Sequence, residues 1–329
     1  MSRVLVTGGA GTIGQAVVRR LLRDPDWDVR VSDQRTPPDW IREGCEVHTG
    51  DLRDRAEARA AIDGCSHVIH LAAIVGGIAN FHKLPYTLTD VNSSLYNGVV
   101  GAAIDADVER FVYVSSSMVF ERATEYPTTE EHVWEVAMPR SAYGFSKLAG
   151  EVWVRAAHEE HGLRYTICRP FNAYGPGEMP EDEPGIAHMV PDVIRKVLGG
   201  ADPLPIFGDG TQTRTITHVD DIADGIVTAM AHTAGLLEDF NISAADEMTV
   251  AEIATVIWEV CGKDPDQLRF EHLPSFPVDV VRRWPSVEKA RELLGWEAKI
   301  SVREGIAQTV AWLREQDLSK GSHLSSLGK

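Results

Sequence analysis

A strand that runs straight into three spaced glycines constrains this chain more than any other feature. In Val4-Leu-Val-Thr-Gly-Gly-Ala-Gly-Thr-Ile-Gly14 a short apolar run meets Gly8, Gly11 and Gly14. Gln15 to Leu22 then reads as a helix, with Ile13, Val17, Val18, Leu21 and Leu22 available for packing. Glycines at this spacing permit a tight turn, close approach of backbone to a pyrophosphate, and close seating of helix on sheet. The pyrophosphate would lie at the positive end of the helix, so Gly8, Gly11, Thr12 and Ile13 are the first candidate cofactor-binding residues.

A second strand, Val29-Arg-Val-Ser, ends in Asp33 at the distance expected for a carboxylate that accepts both ribose hydroxyls of NAD. The same charge repels the additional phosphate of NADP, which favours NAD, although Arg35 stands just past the acid and is a candidate phosphate partner. Asp51-Leu52, after Val47-His-Thr-Gly, falls at a third strand edge. An aspartate there can meet the adenine amino group or simply serve a turn.

Farther along, Ser141-Ala-Tyr-Gly-Phe-Ser-Lys147 puts Tyr143 and Lys147 four apart, on one face if the run is helical. An ammonium beside a phenol favours phenolate, giving a base able to take a proton from a sugar hydroxyl. The pair alone is common on solvated helices; after a glycine-rich turn it points to a reacting centre.

Strand-like runs at 3–7, 29–33, 68–72, 111–115 and 165–169 alternate with helical stretches. The alternation predicts an α/β fold with a parallel sheet covered on both faces by right-handed crossovers. Beyond residue 172 the pattern loosens. Helices are expected at 188–198, 219–232, 249–261, 286–294 and 301–315, with a returning strand at Asn241-Ile-Ser243. The domain organisation expected is 1–172 for the cofactor, 173–318 mainly for substrate in a smaller mixed α/β domain, and a frayed tail over 319–329. An acidic, proline- and glycine-rich loop, Tyr174 to Gly185, is expected over the cleft, with Glu178 facing water in preference to supplying a base.

The 329 residues carry 32 basic and 49 acidic side chains, a formal charge of -17. That balance argues against nucleic-acid or anionic-membrane surfaces, so an anionic ligand must be held by local arginines and amides. Cys45, Cys65, Cys168 and Cys261 are widely spaced among apolar residues, which suits buried thiols in a reducing compartment. With no long apolar span and a core strand at the first residues, the cytoplasm is the expected location. The histidines form no recognisable ligand set, and no metal is expected.

Taken in order, Thr7-Gly-Gly-Ala-Gly-Thr-Ile-Gly14, His70-Leu-Ala-Ala73, Tyr113-Val-Ser-Ser-Ser117, Tyr143-Gly-Phe-Ser-Lys147, Arg169-Pro-Phe-Asn-Ala-Tyr-Gly-Pro176, Phe207-Gly-Asp-Gly-Thr-Gln-Thr-Arg214 and His218-Val-Asp-Asp221 are similar to one known group. The chain resembles the extended short-chain dehydrogenases/reductases, in particular their nucleotide-sugar epimerases and dehydratases, over residues 3 to 315. The resemblance implies a Rossmann-type doubly wound sheet, tightly held NAD recycled at each turnover, and cofactor contacts from Leu71, Ala72 and Ala73. It implies Ser116, Tyr143 and Lys147 as catalytic residues, Ser116 being chosen over Ser115 and Ser117 because Phe120 holds the family's aromatic place. Lys147 would also orient the nicotinamide ribose. Asn92 matches a structural asparagine, or caps a helix starting near Ser93. Asn172, Arg214 and Arg283 would bind the substrate diphosphate, with Arg282 the alternative to Arg283. Phe207 stacks on the base or fills the core. Arg140 and His188 are candidates for a sugar carboxylate. A homodimer through 93–106 and 143–160 is expected.

The fate of the sugar once C4 is oxidised depends on accessory groups. Dehydratases of the group carry Asp-Glu where this chain has Ser117-Met118. Val75-Gly-Gly-Ile-Ala-Asn80 resembles the GDP-mannose 3,5-epimerase and GDP-fucose synthase branch, whose cysteine is replaced here by Met118, and decarboxylases usually have glutamate there. A thioether transfers no proton. C4 epimerisation of a nucleoside-diphosphate hexose or uronic acid needs the least equipment and is the first reading. The alternatives are a 3,5-epimerase, a dehydratase, a UDP-uronic acid decarboxylase, and a non-catalytic NAD-binding scaffold.

Overall fold

The computed structural model describes residues 2–75, 83–181, 185–276 and 280–317. The tail expected at 319–329, most of Val75–Asn80, residues 182–184 of the acidic loop and Asp279 lie outside the described residues.

β1 (Ser2–Thr7), β2 (Trp27–Ser32), β3 (Glu46–His48), β4 (His67–His70), β5 (Arg110–Val114) and β6 (Tyr165–Pro170) form one sheet with helices between them. The chain then leaves it for β7 (Ala173–Tyr174), β8 (Leu204–Phe207), β9 (Thr213–Arg214) and β10 (Thr217–His218). It returns as β11 (Asp239–Ile242) before β12 (Met248–Thr249), β13 (Phe270–Leu273) and β14 (Arg282–Arg283). The sheet order is β11-β6-β5-β4-β1-β2-β3, every pair parallel. The order reverses between β1 and β4, which opens a crevice at the strand ends where a dinucleotide can lie. Both faces are buried, as runs such as Val4, Leu5 and Val6 require.

On one face the helices Thr12–Leu22 and Val219–Ala231 pack around Val17, Leu21, Ile222 and Ile226. On the other lie Arg55–Ile62, Pro85–Asp105 and Ala142–His161, meeting at Val99, Phe111 and Val154. A separate core, with Ile194, Ile253 and Val310, joins the helices Met189–Leu198, Val250–Val260 and Val302–Arg314 to β8. Thr249 and Glu252 form the reciprocal cap that starts the second of these.

Two local readings change. Asn92 is not a cap: it sits inside Pro85–Asp105, fully buried, accepting from the Ile74 amide at 2.8 Å and donating to Ser146 Oγ at 3.1 Å. It thereby fixes the loop after β4 to the helix that carries Tyr143. Glu178 does not face water but is buried in the loop wall, because His188 satisfies its carboxylate.

Candidate active site

One cavity of about 930 Å³ runs from the glycine turn to Phe207 and Phe276. Gly8 lies at φ +71°, and a Cβ there would meet the Ala72 amide nitrogen at 2.8 Å. A Cβ on Gly14 would reach 2.2 Å from the Gly8 carbonyl oxygen. Only bare backbone lets this turn close against the helix start, leaving first-turn amides for a phosphate. Thr7 Oγ1 accepts from the amides of Leu71 (3.2 Å) and Ala72 (3.1 Å), tying the ends of β1 and β4 together beneath the cradle. Its partner His70 is fully buried, and burial pushes the imidazole down to about 3, so it stays neutral.

Asp33 is held at the β2 end by the Ala10 amide, 2.9 Å from Oδ2, and by the Arg35 amide, 2.9 Å from Oδ1. Arg35 curls back so that its Nε lies 3.3 Å from the same carboxylate. Thr12 donates to the Gly177 carbonyl at 3.1 Å, linking the first helix to the loop after β7. Gly8, Gly11, Thr12, Ile13, Asp33, Leu52 and Leu71 to Ala73 all line the cavity. Asp51 does not: its carboxylate is taken by Arg53 Nε at 2.9 Å, and Leu52 and Arg53 form that edge instead. The cradle and acid suit a dinucleotide's pyrophosphate and ribose.

The three serines after β5 divide their work. Ser115 donates to Glu151 Oε1 at 2.6 Å, and Ser117 is buried in a short 3-10 turn. Ser116 caps that turn, accepting from the Met118 amide at 3.2 Å, and its hydroxyl hydrogen-bonds Tyr143. Lys147 lies one turn on, its Nζ 6.0 Å from the Tyr143 ring centre and donating to the Val114 carbonyl at 2.9 Å. Burial pushes the Tyr143 phenol up to about 12, opposed by the Ser116 hydrogen bond and by Arg283. The four-residue spacing gives that opposing role to Lys147, whose ammonium instead points at backbone. Burial pushes Lys147 down to about 8, with Glu151 acting against it.

The expected diphosphate ligands also gather here. Arg283 donates to Asn172 Oδ1 at 3.1 Å and to the Met118 sulfur at 2.8 Å. Asn172, at φ +39°, donates in turn to the Thr215 carbonyl at 2.9 Å. Arg214 binds the Thr213 and Val280 carbonyls at 2.7 and 2.6 Å and is the register neighbour of Arg283 across β9 and β14. Arg282 points elsewhere, to Glu247 at 2.7 Å. Phe207 lines the cavity against Phe276, ring centres 4.7 Å apart. Arg140 is not in the wall, whereas His188 is.

The role of Glu151 and the pairing of Glu178 with His188 are not evident from sequence. Glu151, one turn beyond Lys147, is fully buried and receives Arg169 through Nε (2.8 Å) and Nη2 (2.6 Å) as well as Ser115. Its i+4 spacing from Lys147 is the one available signal. Glu178 and His188 pair at 2.7 Å, the carboxylate raising the imidazole's affinity for a proton. Ten residues separate them, so no local spacing betrays the pair. Among the described residues no group of three His, Cys, Asp or Glu could hold a metal ion, and no helix is long and apolar enough to cross a membrane.

A glycine cradle at the switch point of a parallel sheet, with serine, tyrosine and lysine at its mouth, defines an extended short-chain dehydrogenase/reductase. The chain belongs to the NAD dependent epimerase/dehydratase family, whose model matches residues 4–243, and its cofactor is therefore NAD. It is similar to the UDP-glucose 4-epimerase of Mycolicibacterium smegmatis, 31% identical over 95% of this chain and 99% of that one. It is also similar to GDP-mannose 3,5-epimerase of Arabidopsis thaliana, at 27% over 99% and 86%. The solved UDP-glucose 4-epimerase of Thermotoga maritima, with UDP-glucose, superposes at a TM-score of 0.85 with 29% identity, covering 95% of this chain and 99% of that one. The protein is an enzyme of this nucleotide-sugar epimerase and dehydratase group.

Proposed function

We propose that the enzyme inverts C4 of a nucleoside-diphosphate hexose or uronic acid through a transient 4-keto sugar. The observation that supports it most is the convergence of Ser116 on Tyr143, in a cavity that also holds the glycine cradle, Arg214 and Arg283. NAD, when bound along Gly8 to Ile13 and Asp33, supplies reversible redox capacity at its nicotinamide. Tyr143 takes the C4 hydroxyl proton and later returns it, while Ser116 hydrogen-bonds the same oxygen and keeps it against the phenol. Arg283 stands near enough to favour the phenolate. Lys147 braces the end of β5 and orients the ribose. Asn172, Arg214 and Arg283 hold the diphosphate, allowing the sugar ring to turn without leaving.

A second reading has one observation in its favour. The Glu178–His188 pair lines the same cavity and can hold and release a proton, the equipment for exchange at a carbon beside the ketone. Against it, Met118 offers no partner acid, and its sulfur is occupied by Arg283. Nucleotide sugars incubated with the protein in deuterated water and followed by proton NMR separate the two. Inversion at C4 with C3 and C5 protons retained supports epimerisation at C4, and deuterium at C3 or C5 refutes it. Tyr143→Phe is expected to abolish turnover and leave NAD bound; retained turnover removes Tyr143 as the base.

We further propose a cytoplasmic homodimer. Phe145, Val152 and Trp153 lie exposed on the outer face of Ala142–His161, whereas Val154 packs into its own core. A second copy covering those side chains would remove apolar surface from water.

A further inference from the structure

Beyond the arginines, the cavity wall carries charges that C4 chemistry does not use. Asp192 and Lys196, one turn apart on Met189–Leu198, are joined by a 2.7 Å ion pair. Their side chains are only 9% and 12% exposed, yet both line the cavity. Lys196 also donates to the Pro205 carbonyl at 3.3 Å and lies 5.6 Å from the centre of the Phe207 ring. Asp192 Oδ1 is 3.9 Å from Arg195, beyond hydrogen-bond reach, so that oxygen keeps acceptor capacity.

Contacts along the wall locate this cluster relative to the reacting centre. Ser116 and Tyr143 adjoin Met118, which touches Arg283. Arg283 pairs in register with Arg214, and two residues before Arg214 the Gln212 amide holds the Phe207 carbonyl at 2.6 Å. A nucleotide sugar with its sugar at Tyr143 and its diphosphate at the two arginines therefore directs its base toward Phe207, Phe276, Asp192 and Lys196.

We propose that this end of the cavity selects guanine, making the substrate a GDP-sugar; the inference rests on the nucleotide-sugar reading of the site. Guanine presents two adjacent N–H donors beside the O6 acceptor. A carboxylate receives paired N–H groups along its two oxygens, and a neighbouring ammonium donates to O6. Uracil and thymine present acceptor, donor, acceptor, which turns one carbonyl against the desolvated carboxylate of Asp192. That mismatch works by repulsion, which discriminates more strongly than a missing contact. The two phenylalanines offer flat apolar surface for a purine's larger ring system.

Titration calorimetry of the full chain with GDP and with UDP tests the assignment without requiring turnover. GDP is expected to bind at least about tenfold more tightly than UDP. Asp192→Asn, whose amide nitrogen faces one guanine donor with another donor, should bring the two within about threefold while NAD affinity is unchanged. Lys196→Met should weaken GDP more than UDP, giving an independent check if the first variant folds poorly. UDP binding as tight as GDP, or a preference indifferent to Asp192→Asn, overturns the guanine assignment and leaves the nucleotide-sugar reading standing. Failure of both nucleotides to bind overturns both.

Discussion

Glu151→Gln is the most informative single change, because one fully buried carboxylate accepts three hydrogen bonds from two partners. Glu151 receives Ser115 Oγ at 2.6 Å and the fork of Arg169 at 2.6 and 2.8 Å, all without solvent. Glutamine still accepts from one donor, but it cannot balance the Arg169 guanidinium, whose remaining anion is Asp239 at 2.7 Å. Removing one member of a buried pair typically costs about 3–5 kcal/mol. Asp239 retains part of the balance, so a loss of about 2–4 kcal/mol is expected in urea denaturation. A second readout isolates the electrostatic part. Burial holds Lys147 down to about 8, and Glu151 is the group that resists the fall. If its charge is worth about one pKa unit, the ammonium at pH 7.5 drops from about three-quarters to about one-quarter. Turnover near pH 7.5 should then fall about threefold and recover below about pH 6.5, so the basic limb of the kcat profile moves down by about one unit. The pair of experiments has a clear way to fail. A variant that loses under about 1 kcal/mol and keeps its basic limb would show that Glu151 neither balances Arg169 nor supports Lys147.

Glu130 and the outer helix face offer two simpler tests. Burial pushes Glu130, whose carboxylate accepts from the Asn241 amide at 2.7 Å, up to about 7 from 4.5. Between those values the folded form holds a proton the unfolded chain has lost, so this contribution to stability is complete below about pH 4.5 and is lost as pH rises to about 7. The difference is about 3 kcal/mol, and Glu130→Gln should flatten the stability profile across that window; an unchanged slope would assign it elsewhere. Trp153→Glu should convert a dimer into monomers in sedimentation velocity while NAD binding persists, and a wild type that sediments as a monomer would dismiss the proposed interface.

The sheet is legible in the sequence because its signals are local. Apolar runs of strand length, glycines at fixed offsets and capping pairs such as Thr249 with Glu252 each specify their element without distant help. The strands fall within two residues of their expected bounds, and the return at Asn241 to Ser243 shows in the same way. Tyr143 and Lys147 are visible for the same reason, on one helix, whereas Ser116 stands out from its neighbours only through the family resemblance; the structure brings the three together. What stays hidden depends on contacts between loops and turns that no local spacing pairs. Glu178 reads as a solvated acid until His188 is folded against it, and nothing in the spacing tells that β14 sets Arg283 against the sulfur of Met118. Asp51 takes the plainer of its two readings, since it stands outside the cavity wall and its carboxylate accepts from its local neighbour Arg53.

The return of β11 to the sheet bears on how the molecule is made. The outer edge of β6 is paired by Asp239 to Ile242, residues synthesised long after Pro170. On the ribosome that edge waits, its amides and carbonyls without strand partners, while the whole β7 to β10 excursion emerges. The two halves of the enzyme are thus born interleaved, and neither can be finished before the other has begun.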